Sequence, residues 1–320
     1  MRALKFKMAI AGAAVAMAAS LAHAEYPERP LRIYVATAAG GGADLVIRAI
    51  AEKAQQFLGQ PIVIENRTGG AAGSVATQAL LASPPDGYAA VYQTTTMAIL
   101  PSLTKLPFDP EELVPVIRTG SSPYAIVVAS NFPAKNFDEF VAYAKSRPGK
   151  LNCSTIGVGS APHLALELLL KEANIDIVHV PYRGFALAYP DLRTGRIDCS
   201  IEPPLSLTNY VRSGDLRALG VTQKMPAAEV PDAFPIATKY PGVDVQGWGG
   251  IFVSKKVPKA VVDRLHADLA KAIRDPAVAK RLVELGVQSD AEPAEVFAAT
   301  IEADRKRYAD IVKARNIKLP

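Results

Sequence analysis

The chain has 320 residues, 49% of them hydrophobic and 21% charged, with 36 Lys and Arg against 31 Asp and Glu. That length suits two domains of ordinary size rather than one core, and no dense basic run of the kind that binds nucleic acid is present. Two cysteines, Cys153 and Cys199, with no histidine pattern beside them do not make a zinc site.

Residues 1–24 read as an export signal. Arg2, Lys5 and Lys7 form its basic start, Met8 to Ala19 its apolar stretch, and Ala22-His23-Ala24 a small-x-small cleavage site before Glu25. The apolar stretch is too short to span a membrane, which takes about 20 residues. The expectation is a soluble periplasmic protein cleaved after Ala24. Its loss leaves 33 basic against 31 acidic residues, so the formal charge falls from +5 to +2.

Strand and helix signals then alternate, which predicts parallel sheets with helices on both faces. A strand at Leu31–Ala36 leads through Gly40-Gly41-Gly42 into a helix over Ala43–Leu58. That helix places Val46, Ile47, Ile50, Ala54 and Phe57 on one face and Arg48, Glu52, Lys53 and Gln56 on the other. Pro61–Glu65 is the next strand, a helix runs to Leu81, and Tyr88–Gln93 is a third strand ending in Thr94-Thr95-Thr96. A Pro-containing stretch from Pro101 to Pro123 separates a second set, which opens at Tyr124–Ser130. Asn136 with Glu139 forms a capping-box pair for a helix to Ser146. Strands at Leu151–Thr155, Ile175–Val180, Arg196–Ile201 and Leu216–Thr222 alternate with helices at Ala161–Ala173, Phe185–Thr194 and Leu205–Ser213. Helices at Ala260–Arg274, Ala277–Leu285 and Ala294–Asn316 close the chain. The predicted class is α/β with two doubly wound sheets. Residues 25–122 and 224–320 form the first lobe and 123–223 the second.

In open α/β sheets ligands sit beyond the carboxyl ends of the strands. The candidate lining is therefore Ala38, Ala39, Gly40, Gly41 and Gly42; Thr94, Thr95 and Thr96; Ser154–Ser160, with Thr155, Gly157, Gly159 and Ser160; Tyr182, Arg183, Gly184 and Phe185; and Ile201–Pro203. Two glycine-rich turns each precede a helix, whose unpaired N–H groups and partial positive charge suit an anion. Neither is a phosphate loop or a dinucleotide fingerprint, because the required Lys-Ser/Thr and Gly spacing are missing. Each is equally readable as a tight strand–helix turn. Asp44, just inside the first helix, is placed to hold its loop rather than touch an anion. Ser160 is an N-cap by position, and His163 in the following turn reads as a packing residue. A hydrolase would need a nucleophile and an orienting acid around it, and none can be nominated. Arg183 is either a bidentate partner for a second carboxylate or a surface arginine. Asp198, inside a strand, braces a loop or accepts a ligand ammonium. Trp248 reads as packing near a crossover, with ligand contact as the less favoured alternative. Export permits a Cys153–Cys199 disulfide, but neighbouring parallel strands are poor geometry for one, which favours two buried thiols.

The ordered series of segments resembles the Bug/TctC family, the extracytoplasmic solute receptors of tripartite tricarboxylate transporters. It runs from Tyr26-Pro27-Glu28-Arg29-Pro30-Leu31 through Gly40-Gly41-Gly42-Ala43-Asp44, Leu58-Gly59-Gln60-Pro61 and Pro85-Asp86-Gly87-Tyr88. It continues through Arg147-Pro148-Gly149-Lys150-Leu151-Asn152, Gly159-Ser160-Ala161-Pro162-His163, Val178-His179-Val180-Pro181-Tyr182-Arg183-Gly184 and Gly214-Asp215-Leu216-Arg217-Ala218-Leu219-Gly220 to Asp275-Pro276-Ala277-Val278. The resemblance implies a two-lobed Venus flytrap of the type II periplasmic-binding-protein fold, no cofactor or metal, and no catalysis. It implies a monomer that grips a small organic carboxylate with loops Ala38–Gly42 and Gly157–Ser160. It also implies delivery to a permease of one large and one small membrane subunit, driven by an ion gradient. Presentation of the ligand to a membrane kinase is the alternative, and an exported hydrolase a weaker one. Three departures stand out: Ala39 where the family has proline, Phe185 where it has a small residue, and Cys199-Ser200-Ile201-Glu202-Pro203 in place of an apolar-apolar-Phe-Asp-Asn run. A phenylalanine at the cleft points to an aromatic or compact carboxylate.

Overall fold

The computed structural model describes residues 26–319; the export signal and its cleavage site lie outside them. In chain order the elements are β1 (Leu31–Val35), α1 (Gly42–Leu58), β2 (Ile62–Asn66), α2 (Ser74–Leu81), β3 (Ala89–Thr94), the short α3 (Thr96–Ile99) and β4 (Leu113–Pro123). There follow β5 (Ala125–Ala129), α4 (Phe137–Lys145), β6 (Leu151–Thr155), α5 (Ala161–Ala173), β7 (Ile177–Pro181), α6 (Phe185–Arg193), β8 (Cys199–Glu202), α7 (Pro204–Arg212) and β9 (Leu216–Val221). The chain ends with β10 (Phe234–Pro235), β11 (Gln246–Ser254), α8 (Lys259–Ile273), α9 (Pro276–Glu284) and α10 (Ala294–Ala314).

The strands form two sheets, in the orders β2-β1-β3-β11-β4 and β10-β9-β5-β8-β6-β7. Each is mixed rather than parallel throughout: β11 runs antiparallel to β3 and β4, and β5 antiparallel to β8 and β9. The antiparallel strands are those through which the chain passes between lobes, so the parallel rule for β-α-β units does not govern them. Both β4 and β11 lie in segments where proline and glycine mask the strand signal, Leu113-Val114-Pro115 and Gln246-Gly247-Trp248-Gly249-Gly250. The second sheet also reaches further along the chain than 223, since β10 pairs with β9.

Alternation along β1 shows how the first lobe is built. Leu31, Ile33 and Val35 bury against α1 and α8, while Tyr34 faces the opposite core. The inner stripe of α1 holds Val46, Ile47, Ile50, Ala51, Ala54 and Leu58, and Gly59, at φ 72, ends the helix in the left-handed conformation that glycine adopts cheaply. The Asn136 cap on α4 is present as expected, with Glu139 N–H donating to Asn136 Oδ1 and the Glu139 carboxylate accepting from the Lys135 N–H. The 21-residue α10 joins the lobes: Phe297, Tyr308, Ile311 and Val312 belong to one core with Leu164 and Leu168 of α5, and Arg315 pairs with Glu167.

Two passages connect the lobes, Pro123–Ala125 and the return from Thr222 to Gln246. Buried Thr222 ties them together. Its N–H donates to Tyr124 O (2.9 Å), and its hydroxyl accepts from Tyr124 N–H (2.9 Å) and donates to Val245 O (2.6 Å). Cys153 and Cys199 form a disulfide, against the expectation of free thiols. Their strands β6 and β8 are adjacent and pair these two positions in register, with Cα atoms 4.5 Å apart, inside the range a bridge spans.

Candidate functional site

The carboxyl ends of β3, β6 and β8 and the start of α1 open onto one cavity of about 580 Å³ between the sheets. The first lobe lines it with Gly42, Ala43 and Val46 of α1, with Tyr92 and Thr94–Thr96, with Gly120–Ser122 of β4, with Gly247–Gly249 of β11, and with Leu285–Val287 after α9. The second lobe supplies Ile156, Ser160–Pro162, Pro203, Leu205 and Ser206, and hinge residue Tyr124 completes the wall. Among the described residues none of these carries a formal charge. A larger groove of about 750 Å³ lies elsewhere, on the back of the second lobe beside Lys145, Lys171, Asp176 and Arg315, and holds none of the residues read as ligand-binding.

The first glycine turn is spoken for by its own helix. Gly40 N–H donates to Asp44 Oδ2 (2.8 Å), and Gly41 N–H to Ala38 O (3.1 Å). Gly40 needs its φ of 80 for that turn. Asp44 is 1% exposed and also accepts from Arg48 Nε (2.9 Å) and Asn66 Nδ2 (2.8 Å). Burial alone would raise its pKa, but the bonds from Arg48, Gly40 and Asn66 outweigh it and hold the carboxyl at about 2. Asp44 thus holds the loop. Ala38, Ala39 and Gly40 are exposed beside the cavity rather than in its wall, whereas Gly42 and Ala43 line it. Helix α1 begins at Gly42, and no side chain caps it, so its first amides lack a side-chain acceptor at the point where Gly42 and Ala43 line the cavity.

The second turn follows the same plan. Gly157 N–H donates to Thr155 Oγ1 (3.4 Å), and Gly159 N–H to His163 Nδ1 (3.1 Å). The Ser160 hydroxyl donates to Gly157 O (2.7 Å) and caps α5 by accepting from His163 N–H (3.3 Å). Ser160 and Ala161 line the cavity; Thr155, Gly157, Gly159 and His163 form the layer behind. The His163 ring stacks on His179 at 3.8 Å and turns Nε2 toward Glu167 Oε1 (3.5 Å). Burial, and then His163, push the His179 pKa down to about 4, and its Nε2 bonds Thr155 Oγ1 (2.7 Å). Neither nitrogen of His163 addresses the Ser160 hydroxyl, so the pair is not a nucleophile and its base.

The third group lies away from the cavity. Tyr182 donates to Asp191 Oδ2 (2.6 Å), Arg183 is exposed, and Gly184 precedes α6. Phe185 corrects the expectation of an aromatic at the cleft: it is 7% exposed, packed in the satellite core of the second lobe and edge-on to Tyr210 at 5.4 Å. As the first residue of α6 it points to the sheet that the helix covers. Asp198 braces β6 to β8 by accepting from Asn152 N–H (2.7 Å). Of the three threonines, Thr95 is buried and exchanges bonds with Trp248, accepting from its N–H at 2.7 Å, while Thr94 and Thr96 present hydroxyls 3.3 Å apart.

Sequence reading missed the walls built by β4, by β11 and by Leu285–Val287. The signal available was the run Thr119–Ser122, small and polar, opposite the glycines of Gly247–Gly250, a pairing that leaves strand ends open to a ligand. Trp248, read as packing, both packs and lines: its Nε1–H donates to Asp304 Oδ2 of α10 (2.9 Å) while the residue borders the cavity.

Two sheet-based lobes, two hinge passages and a cavity ringed by helix starts define a two-lobed solute-binding protein, and its fold is that of binding proteins rather than enzymes. The chain belongs to the tripartite tricarboxylate transporter family receptors (TctC), whose model matches residues 46–317. Proteins of this family are periplasmic receptors. Among relatives, the UPF0065 protein in the tcbD-tcbE intergenic region of Pseudomonas sp. (strain P51) is 31% identical over 311 residues, covering 95% of this chain and 92% of that protein. MatC from Rhodopseudomonas palustris, solved with bound malate, is 28% identical with a TM-score of 0.71, covering 90% of this chain and all of that one. Rpa4515 of R. palustris, solved with adipate, is 25% identical with a TM-score of 0.76 over 92% of this chain and 100% of that one.

Proposed function

We propose that this chain is exported, loses residues 1–24, and works as a monomeric periplasmic receptor. It closes its lobes on a small organic carboxylate and hands the ligand to a two-subunit secondary transporter of the tripartite tricarboxylate type. The observation that carries the reading is the meeting, across one uncharged cavity, of the uncapped start of α1 and the start of α5. The start of α1 brings uncapped N–H donors. The start of α5 brings the Ala161 N–H alone of its first turn, because Pro162 has none and that of His163 bonds Ser160 Oγ. Both bring the positive end of a helix dipole to a site able to hold a carboxylate. Malate and adipate bound to the two relatives support the ligand class. The residues we assign to ligand contact are Gly42, Ala43, Thr94–Thr96, Ser160 and Ala161. A compact or aromatic body suits the volume and the flanking Tyr92, Tyr124 and Trp248, although Phe185 has no part in it.

A thermal-shift screen of mono- and dicarboxylates on the mature chain tests this, since a ligand binding only the folded state raises the unfolding temperature by mass action. A rise with at least one carboxylate, weakened by Ser160→Pro, is expected. No response to any carboxylate, with a response to a sugar or a cation, overturns it.

A further inference from the structure

Two glycines lie buried where the lobes meet, and leucines from across the junction cover each of them. Gly286 follows α9 of the first lobe. Its segment is held to the edge strand β4, because Gln288 and Ser121 exchange N–H···O bonds of 2.8 and 2.9 Å. Leu205, the second residue of α7 in the second lobe, lies flat on it: a Cβ placed on Gly286 would sit 2.8 Å from Leu205 Cβ and 3.3 Å from its Cδ2. Gly159 belongs to the second lobe, in the turn before Ser160. A Cβ there would sit 2.7 Å from Cδ1 of Leu103, which follows α3 of the first lobe, and 3.0 Å from Cδ2 of Leu319, beyond the end of α10. Carbon atoms pack at about 3.5–4.0 Å, so neither position has room for a methyl group while the lobes stand as they do.

Local structure accounts for the conformation of Gly286 but not for its cover. The residue ends α9 at φ 72, with Gly286 N–H donating to Val283 O and Val287 N–H to Leu282 O, a cap that needs only the left-handed backbone. Nothing in that cap calls for a leucine 43% exposed to reach over from the other lobe. Leu207, two residues on, is buried in the satellite core, so Leu205 is carried on a helix fixed to the second lobe.

Resting on the receptor reading above, we propose that Leu205 on Gly286, and Leu103 with Leu319 on Gly159, are the latches that hold the closed lobes and set the rate of ligand release. Leu205–Gly286 joins groups fixed to different lobes, and so does Leu103–Gly159. The apolar area they remove from water is removed only when the lobes come together, so it favours closure without touching the ligand. Leu103, Leu319 and Gly159 stand outside the cavity wall, and Leu205 and Gly286 belong to it. Weakening a latch therefore acts on the closed form, which shows in dissociation more than in capture.

Fluorescence of Trp248, the chain's one tryptophan and part of the cavity wall, reads both rates by stopped flow with malate, adipate and benzoate as probes. Leu103→Ala should speed release about 10-fold and leave capture within about 2-fold. Should that variant unfold, Leu319→Ala, at a position 36% exposed, should shift release in the same direction. Gly286→Ala drives a methyl into Leu205 and should also speed release, and Leu205→Gly in the same chain should restore most of the loss. Backbone strain at φ 72 alone would be indifferent to Leu205. Unchanged release, or a Gly286→Ala defect that Leu205→Gly does not repair, overturns the latches and leaves the receptor standing. If no probe alters the fluorescence or the unfolding temperature, the receptor reading falls, and the contact is decided without ligand. A Leu205→Cys, Gly286→Cys pair should then bridge under mild oxidation, since its Cβ atoms need only about 1 Å more separation. No such bridge in non-reducing peptide mass spectrometry overturns the latches as well.

Discussion

Asp44→Asn separates the scaffold of the site from its contacts. The carboxylate takes three hydrogen bonds, from Gly40 N–H, Arg48 and Asn66, at 1% exposure, and its pKa falls from 3.8 to about 2 on folding. At about 1.4 kcal/mol per pKa unit, that depression contributes about 2 kcal/mol of stability. A depressed acid stabilises above its unfolded pKa and loses that contribution as pH falls through its folded one. The stability deficit of Asp44→Asn should therefore be about 2 kcal/mol at pH 7 and shrink between pH 4 and pH 2. Asparagine also offers an amide where Asn66 Nδ2 now donates, so the first glycine turn loosens and the start of α1 is less fixed. Carboxylate affinity should drop several-fold even though Asp44 does not line the cavity. Urea unfolding of both forms at pH 7 and pH 3, with calorimetry at pH 7, measures both effects. A deficit that does not change with pH, or an unaltered affinity, refutes the assignment of Asp44 as the holder of that turn.

Buried Glu202, at the end of β8 next to lining residue Pro203, has its pKa pushed up to about 8 by burial, with only a 3.5 Å bond from Ser200 opposing it. A raised acid costs stability as pH climbs from about 4.5 through 8, by up to about 5 kcal/mol, so Glu202→Gln should flatten that decline in a series of urea midpoints; a parallel decline in the variant would show that the group is not buried neutral. Thr222→Val leaves Tyr124 N–H and Val245 O without their hydroxyl partner at the hinge, at about 1–3 kcal/mol per stranded group. Denaturant unfolding should show a loss of about 3 kcal/mol, with Thr222→Ser recovering most of it.

Elements with a single strong period were legible in the sequence: α1 and α8 carry their apolar residues at helical spacing, and their bounds, like those of the nearly all-buried α5, are met within one or two residues. The strands β4 and β11 were not, because each mixes proline or glycine with residues that alternate only after the partner strand is known. They matter most to the site, since they carry its floor and the hinge. The loops were found, yet not the direction of their amides. Position within the first helical turn marks Asp44 as the holder of its loop, which it is, but spacing does not say that Thr155 and His163 will claim the N–H groups of Gly157 and Gly159. Phe185 shows the same limit from the other side: the motif around it locates the turn, while the twist of α6 decides which way the ring points.

A wall without formal charge also suits a protein that must open and close. An arginine aimed into the cavity would bind a carboxylate more strongly, but closure without ligand would then bury it unpaired, a heavy penalty. The uncapped amides at the start of α1 and the dipole ends of α1 and α5 lose less when empty, because each helix spreads its partial charge over several groups. On the lobe closure proposed above, the closed form would stay within reach of the empty protein, and a ligand would shift the balance by its preference for the closed lobes alone. The α10 helix adds the restoring element. Through Asp304 at its middle to Trp248 and through Arg315 at its end to Glu167 it is fixed to the cavity wall and to α5, so relative movement of the two would work against both attachments. Affinity in this receptor is then a difference between ligand contacts and hinge work. That is why substitutions at Asp44 and Thr222, neither of them in the cavity wall, are expected to register in the binding constant as well as in stability.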